Sequence, residues 1–377
     1  MTLIKLHKPN IGVLSMQRVI NYGSFLQAYG LRQLLLQNGA GSVSFVDIEP
    51  GRILVEQPSK PLRRTKELFK LIFEGRIIER IRTHYFSHKL KRTFVESAWP
   101  QLRLDNPEQT RFDLMVIGSD EVFNCCQACG TGYTPQLFGR IKPEIATRVV
   151  TYAASFGFST LSMLKHYGVA DDITEMLQAD DAISVRDVNS QDIVEALTGS
   201  RPPLHLDPVL IYGFKKEIDS YTKRPCSEKY LIVYTYAERI RSKAEIKAIK
   251  EYAKRHNLKI FSIFCWYIWV DQIIIPENPM DVLMWFKHAD CIVTDTFHGT
   301  IFSIITHSRF ATFIRPSNKN KLTSLLDSTG LPMQAVESIS QLTDILNQVP
   351  DYNNVEKLLD SERIRTNAFL KSQLPEM

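Results

Sequence analysis

Leu114-Met115-Val116-Ile117 is four apolar residues in a row, and Gly118-Ser119-Asp120 follows at once. A strand with no polar alternation must be covered on both faces, which is the situation of a parallel sheet with helices on either side. Its small and polar ending marks the carboxyl edge, where such sheets open their ligand crevice. The same pattern recurs upstream and downstream. Ile11 to Ser15 and Phe45 to Ile48 read as earlier strands, and Val149 to Ala153 as a later one that ends in Ala154-Ser155-Phe156-Gly157. Ile183 to Val185 reads as a further strand ending in Arg186-Asp187. Between the first two strands, Phe25, Leu26, Tyr29, Leu31, Leu34 and Leu35 recur at helical spacing, with Ser24 suited to the N-cap and Gly39 to the stop.

Thr198-Gly199, Pro202-Pro203 and Asp207-Pro208 are turn chemistry and mark a domain boundary. Beyond it the alternation resumes with Tyr230 to Tyr234, then a helix carrying Glu245, Lys247, Lys250 and Glu251 on its polar face. Lys259 to Phe264, a helix from Met280 to Lys287, Cys291 to Thr294 and Ala311 to Ile314 complete the series. The expected architecture is α/β, with two domains facing each other across a cleft. Residues 1–205 form the first, with a helical excursion at about 58–95, and 206–345 form the second. Residues 346–377 are expected to be helical and to pack back on the first domain.

At 377 residues, 44% hydrophobic and 23% charged, the chain excludes disordered, collagen-like and coiled-coil classes. The net charge of +5 is too mild to argue for nucleic acid. It is also local: from Lys60 to Arg92 there are 11 Lys or Arg against three Glu, an excess of +8 that leaves about −3 elsewhere. Leu68, Leu71, Ile72, Ile77, Ile78, Ile81 and Phe86 make that segment a basic amphipathic helix. It is either a solvated excursion or a surface for anionic membrane or a lipid-phosphate-linked substrate.

Met1 to Asn10 lacks a secretory h-region, so a cytoplasmic location is expected, with peripheral contact at the inner face of the membrane through 60–92. The apolar run Ile260 to Val270 is too short to span a bilayer and reads as a buried strand. Cys125, Cys126 and Cys129 cluster near Gly130 and Gly132, but no second Cys/His pair completes a zinc site, so no metal is expected.

Three places could carry chemistry. Thr294-Asp295-Thr296-Phe297-His298-Gly299-Thr300 passes from strand to helix, which puts His298 at a helix N-terminus where backbone N–H groups favour an anion and imidazole can trade protons. The plainer alternative is a cap histidine satisfied by Asp295 or a carbonyl. Arg186, at a strand's carboxyl end, offers a planar fork for carboxylate or phosphate, or else an ion pair with Asp187. Gly118-Ser119-Asp120-Glu121 could hold a ligand hydroxyl or cap the next helix.

Taken in order, these motifs resemble one family. Asn21-Tyr22-Gly23-Ser24 with Leu26-Gln27-Ala28, Gly118-Ser119-Asp120 with Val122 and Asn124, and Tyr152 to Gly157 are similar to the polysaccharide pyruvyl transferases. Val185-Arg186-Asp187 with Ser190, Leu206-Asp207-Pro208, Thr294 to Thr300, and Asn320-Lys321-Leu322 before Gly330-Leu331 continue the resemblance, from Ile11 to about Leu331.

The resemblance implies two Rossmann-like domains in a GT-B-like layout and transfer of pyruvate from phosphoenolpyruvate to a sugar as a ketal, in capsule, exopolysaccharide or cell-surface glycan synthesis. No cofactor is implied beyond that donor. Arg186 and His298 match the family's catalytic pair. Arg186, Thr296, Gly299, Thr300 and Lys321 are the expected donor contacts, and Asn21, Tyr22, Gly23, Ser119 and Asp120 the expected acceptor contacts, for a saccharide that is free or lipid-linked. Several members carry Arg where this chain has Thr296; Lys319, Lys321 or Arg315 could replace it. Two rival readings are a nucleotide-sugar glycosyltransferase, with Glu277 as a weak ribose ligand, and a non-catalytic scaffold of a glycan assembly complex.

Overall fold

A computed structural model of the chain describes residues 8–55, 77–104, 111–127, 130–236 and 239–375. The first sheet holds β1 (Asn10–Leu14), β2 (Ser42–Phe45), β3 (Leu114–Asp120) and β4 (Val149–Ala154), all parallel, in the order β2-β1-β3-β4. Side chains alternate between two cores as a strand's period of two requires. Met115 and Ile117 of β3 enter one cluster with Phe123, Phe138 and Phe156, while Leu114 and Val116 enter another with Ile11, Val13 and Tyr152.

Helix α1 (Tyr22–Gln37) connects β1 to β2 and is apolar nearly all round. Such a helix must be buried on every side. Leu31, Leu34 and Leu35 face the first sheet, and Tyr22, Phe25 and Leu26 face the core of the second domain. Its N-cap is Asn21, whose Oδ1 accepts the Gly23 N–H at 2.7 Å, not Ser24 as the sequence suggests. Ser24 lies inside the first turn and donates instead to Asp120 Oδ2 at 2.9 Å.

Helix α2 (Ile77–Thr93) belongs to the basic excursion. It buries Phe86 and Leu90, and Phe94 follows them against Tyr22, with ring centroids 5.2 Å apart. Ile81 is not on the buried stripe: it and Tyr85 are exposed beside Arg82, Lys89 and Arg92. Leu68, Leu71 and Ile72 lie outside the described residues. Helices α3 (Ala170–Ala179) and α4 (Val188–Thr198) cover the first sheet, and α5 (Pro208–Tyr212) opens the crossing to the second domain.

The second sheet is also wholly parallel, β10-β9-β8-β5-β6-β7, built from β5 (Tyr230–Tyr234), β6 (Lys259–Ile263), β7 (Gln272–Ile274), β8 (Cys291–Thr294), β9 (Phe310–Phe313) and β10 (Ala335–Val336). Leu231 and Val233 face one core; Tyr230, Ile232 and Tyr234 face the other. Its helices include α6 (Lys243–Arg255), α7 (Val282–Lys287), α8 (Phe297–Ile305) and α9 (Lys319–Ser328). Helix α10 (Tyr352–Gln373) returns to the first domain, where Phe369 packs on His205 and Arg148 Nη1 donates to Gln373 O at 3.2 Å.

Two Rossmann-like domains thus face each other across a cleft, in a GT-B-like layout. Three local expectations need correction. The strand near Phe45 ends there, because Ser42–Phe45 is the segment in register with Asn10–Val13. Ile183 to Val185 makes only isolated bridges, from Ala182 to Val150 and from Val185 to Ala154 and Leu204. The run Ile260 to Val270 is not one strand: the chain turns at Phe264, with φ of 81°, and Ile268 is exposed.

Candidate functional site

At the end of β8 the chain turns into α8, and Thr296 caps that helix by accepting the Gly299 N–H at 2.9 Å. Thr300 Oγ1 donates to Thr296 O at 3.0 Å and meets Thr312 Oγ1 at 3.0 Å. Thr296, Gly299 and Thr300 are therefore buried in the cap itself and do not line the cleft, contrary to their expected donor role. A Cβ on Gly299 would stand 2.2 Å from Thr294 Oγ1, so the turn is closed around glycine.

This turn delivers His298 into the cleft. Asp295 does not satisfy it: that carboxylate faces Arg315 Nε at 3.2 Å and Arg239 Nη1 at 3.9 Å. Nε2 of His298 faces Asp207 Oδ2 at 3.6 Å, and Asp207 belongs to the crossing between domains, where its Oδ1 caps α5 by accepting the Val209 N–H at 2.9 Å. The other side of the ring rests on α1. A Cβ on Gly23 would lie 2.1 Å from His298 Nδ1, so only glycine admits the imidazole there.

Beneath His298 lies Arg186, its side chain 3% exposed. Its Nη1 donates to Asp207 Oδ2 at 3.0 Å and stands 3.6 Å from Asp120 Oδ1, and its guanidinium covers the Phe297 ring at 4.2 Å. Asp187 is not its principal partner, being occupied as the α4 cap with the Ser190 N–H at 2.8 Å. Arg186 does not line the cleft, so the expected clamp on a ligand anion is replaced by a clamp on two carboxylates. Burial pushes the Asp207 carboxyl up, but His298, Arg186 and the Val209 N–H outweigh it and hold it below the ordinary range. Burial likewise opposes charge on Arg186, while Asp120 and Asp207 keep it firmly protonated.

The cleft has a volume of about 680 Å³ and takes walls from both domains. Asn21, Ser24, Asp120 and Glu121 come from the first, and Tyr236, Arg239, His298, Lys319 and Lys321 from the second. Lys321 Nζ reaches across it to Glu121 Oε1 at 2.8 Å. Burial raises the Glu121 carboxyl, yet Lys321, Arg186 and the Asn124 amide bring it down to about 2.

The structure brings Asn21, Asp120, His298 and Lys321 together in the cleft and Gly23 against its histidine. It does not bring Tyr22 or Ser119 there. Tyr22 is wholly buried among Phe94 and Phe264, and Ser119 donates to Ala153 O at 3.0 Å inside the sheet. Arg315 is spent on Glu245, at 2.8 Å, and Asp295. Glu277 is exposed and outside the cleft lining.

Sequence reasoning missed Asp207 as a cleft residue's partner, because Asp207-Pro208 reads as turn chemistry at a domain boundary. It also missed Arg239 and Tyr236, which follow the carboxyl end of β5 and were open to the crevice rule that had pointed to Arg186 instead. Cys125 and Cys126 are buried thiols outside any disulfide; the hydrogen bond from Cys125 draws the Cys126 thiol down to about 7. Cys129 lies outside the described residues. Among the described residues no three His, Cys, Asp or Glu gather as a metal-holding group, and no helix is long and apolar enough to cross a membrane.

Compared with known families, residues 21–315 match the model described as Polysaccharide pyruvyl transferase. No curated protein matches the sequence. Among solved structures, UDP-GlcNAc 2-epimerase from Neisseria meningitidis bound to UDP-GlcNAc is similar with a TM-score of 0.49 and 11% identity, covering 96% of this chain and 99% of that one. Arabidopsis thaliana UGT89C1 complexed with UDP-L-rhamnose gives 0.48 and 12%, covering 97% and 99%.

Proposed function

Since the chain belongs to the polysaccharide pyruvyl transferase family, and so to transferases acting on polysaccharide, we propose that its cleft moves pyruvate from phosphoenolpyruvate to two hydroxyls of a sugar as a ketal. The observation that carries this reading is the approach of His298 Nε2 to Asp207 Oδ2 in a cleft walled by Arg239, Lys319 and Lys321.

The reaction begins with a proton added to the methylene carbon of phosphoenolpyruvate, which becomes the methyl group and leaves cationic character on the carbon bearing phosphate. One sugar hydroxyl adds to that carbon and gives up its proton. The second hydroxyl then replaces phosphate, again releasing a proton. The two hydroxyl protons balance the one taken by carbon and the one carried away on phosphate. Such a sequence needs one group that gives and takes protons in turn, which is the work of an imidazole.

His298 fills that role, and Asp207 steadies the ring and the charge it acquires. Their 3.6 Å separation is longer than a hydrogen bond and within the looser range that catalytic pairs keep before substrate binds. Arg186 stands one layer back, fixing Asp207 and Asp120. The donor's carboxylate and phosphate fall to Arg239, Lys319 and Lys321, so Arg239 takes the place of the family arginine that Thr296 lacks. Asn21, Ser24 and Asp120 face the acceptor from the opposite wall.

The exposed basic face of α2, with Arg82, Lys89 and Arg92 beside Ile81 and Tyr85, supports an acceptor carried on a lipid phosphate at the cytoplasmic face of the membrane. The test is to incubate the protein with phosphoenolpyruvate and candidate glycans. Phosphate release matched by one pyruvyl ketal on the glycan supports the reading; a glycan that gains no mass with any acceptor defeats it.

A further inference from the structure

Phe158 is an aromatic ring held out into water. It is 50% exposed, lines the cleft and belongs to none of the core clusters among the described residues. Its exposure is built in, because the backbone on both sides is tied down. Asn189 Nδ2 donates to Gly157 O at 3.3 Å and to Ser159 O at 3.1 Å, so one amide grips the residues flanking the ring. The Gly157 N–H donates to Ser155 Oγ at 3.0 Å, and Ser159 Oγ donates to Asn124 Oδ1 at 2.7 Å. A loop fixed by four bonds around an exposed ring presents that ring to something.

Asn189 also marks where the cleft opens into a second groove of about 740 Å³, between the first turn of α4 and helix α9. Asn189, Lys319 and Asn320 line both spaces. The α9 wall is polar along its length: Asn320, Thr323, Ser324, Asp327 and Ser328 recur at spacings of three and four and share one face, while Leu322, Leu325 and Leu326 are buried on the other. Each space alone is of the size that takes a small molecule, and together they form one path.

Resting on the pyruvyl-transfer reading of the cleft, we infer that Phe158 is the platform on which the acceptor sugar stacks. The acceptor is an oligosaccharide or polymer end whose further units run along the groove between α4 and α9. The C–H face of a pyranose carries slight positive charge and seats on the negative face of an aromatic ring. The hydroxyls, amide and carboxylate along α9 can exchange hydrogen bonds with sugar hydroxyls, each of which both donates and accepts. A single sugar would leave that whole wall in water.

The test uses binding, so that it does not depend on turnover. Fragments of graded length, from single sugars to several units, are released from the host cell's surface polysaccharide by mild acid, which also strips ketal-linked pyruvate, and their affinity for the full chain is measured by calorimetry. Affinity should rise with length. Phe158→Ala should weaken the long fragments about tenfold, Phe158→Trp should restore them, and both variants should melt as the parent does. Ser324→Trp, which fills the groove, should remove the gain from length. Affinity independent of length, or long fragments bound equally by Phe158→Ala, overturns the inference. Length-dependent binding without pyruvyl transfer would keep the groove and refute the reaction; transfer without length dependence would do the reverse.

Discussion

Asp207 Oδ2 stands 3.6 Å from Nε2 of His298, joining the crossing between the two domains to the helix N-terminus of the second. The same oxygen accepts from Arg186 at 3.0 Å, so a buried cation and a titratable ring share one carboxylate. Replacing that carboxylate by an amide keeps the shape and removes the charge. Asp207→Asn is expected to lower kcat by roughly two orders of magnitude, with a smaller change in KM for either substrate, and to alter the pH–rate profile. A variant that loses only thermal stability, with kcat and profile intact, would assign Asp207 to structure alone.

Gly23 and His298 meet so closely that a methyl group cannot enter between them, the added Cβ falling 2.1 Å from Nδ1. Gly23→Ala should displace the ring and cut turnover by at least about tenfold. Because Gly23 lies in a buried turn, it should also destabilise the protein by about 1–3 kcal/mol. Steady-state rates and a denaturant melt read the two effects separately. Parental turnover would mean that the ring is free to occupy another position.

Arg239 lines the cleft, and its Nη1 donates to Ser317 Oγ at 3.1 Å while standing 3.9 Å from Asp295 Oδ2, a carboxylate that Arg315 holds more closely, at 3.2 Å. Arg239→Ala should raise KM for phosphoenolpyruvate about tenfold or more while leaving acceptor KM near the parental value. Equal effects on both substrates would argue against a donor clamp.

Lys321 and Glu121 join the domains at 2.8 Å, and the Glu121 carboxyl is held at about 2 against an ordinary 4.5. A depressed carboxyl stabilises the fold fully above the ordinary value and loses that contribution as pH falls from about 4.5 toward 2. Melting temperature should therefore decline over that window, and the decline should be shallower in Glu121→Gln. Lys321→Met, which leaves the carboxylate to the Asn124 amide and the more distant Arg186, should cost about 1–3 kcal/mol near neutral pH. A parental acid limb in Glu121→Gln would show that the pair does not govern acid stability.

Much of this was legible in the chain. The parallel sheets follow from strands such as Leu114–Ile117 and Cys291–Thr294, whose lack of alternation admits no exposed face. The strand-to-helix turn at Thr294 to Thr300 was legible too, and it aims the His298 side chain into the cleft. The same logic misread Arg186, since the strand end locates the residue but not the two carboxylates, Asp120 and Asp207, that arrive from 66 and 21 positions away and absorb its charge. Tyr22 failed for a related reason. Its place in the Asn21-Tyr22-Gly23-Ser24 motif suggested a ligand contact, yet the second domain closes over it with Phe264. Thr296 and Thr300 were read as ligand groups when local bonds to Gly299 and to Thr296 O already used them. For Arg186 and Tyr22, what sequence spacing omits is the partner that tertiary packing supplies.

The central claim is that His298 carries the protons of pyruvyl transfer. Turnover in heavy water with phosphoenolpyruvate and an accepted glycan measures it directly, following phosphate release and the label in the product's methyl group together. The account predicts one deuterium per ketal methyl and one phosphate per ketal in the parent chain, with the rates of phosphate release and of ketal formation both falling by about two or more orders of magnitude in a folded His298→Ala variant. Ketal formation by that variant at close to the parental rate would contradict it.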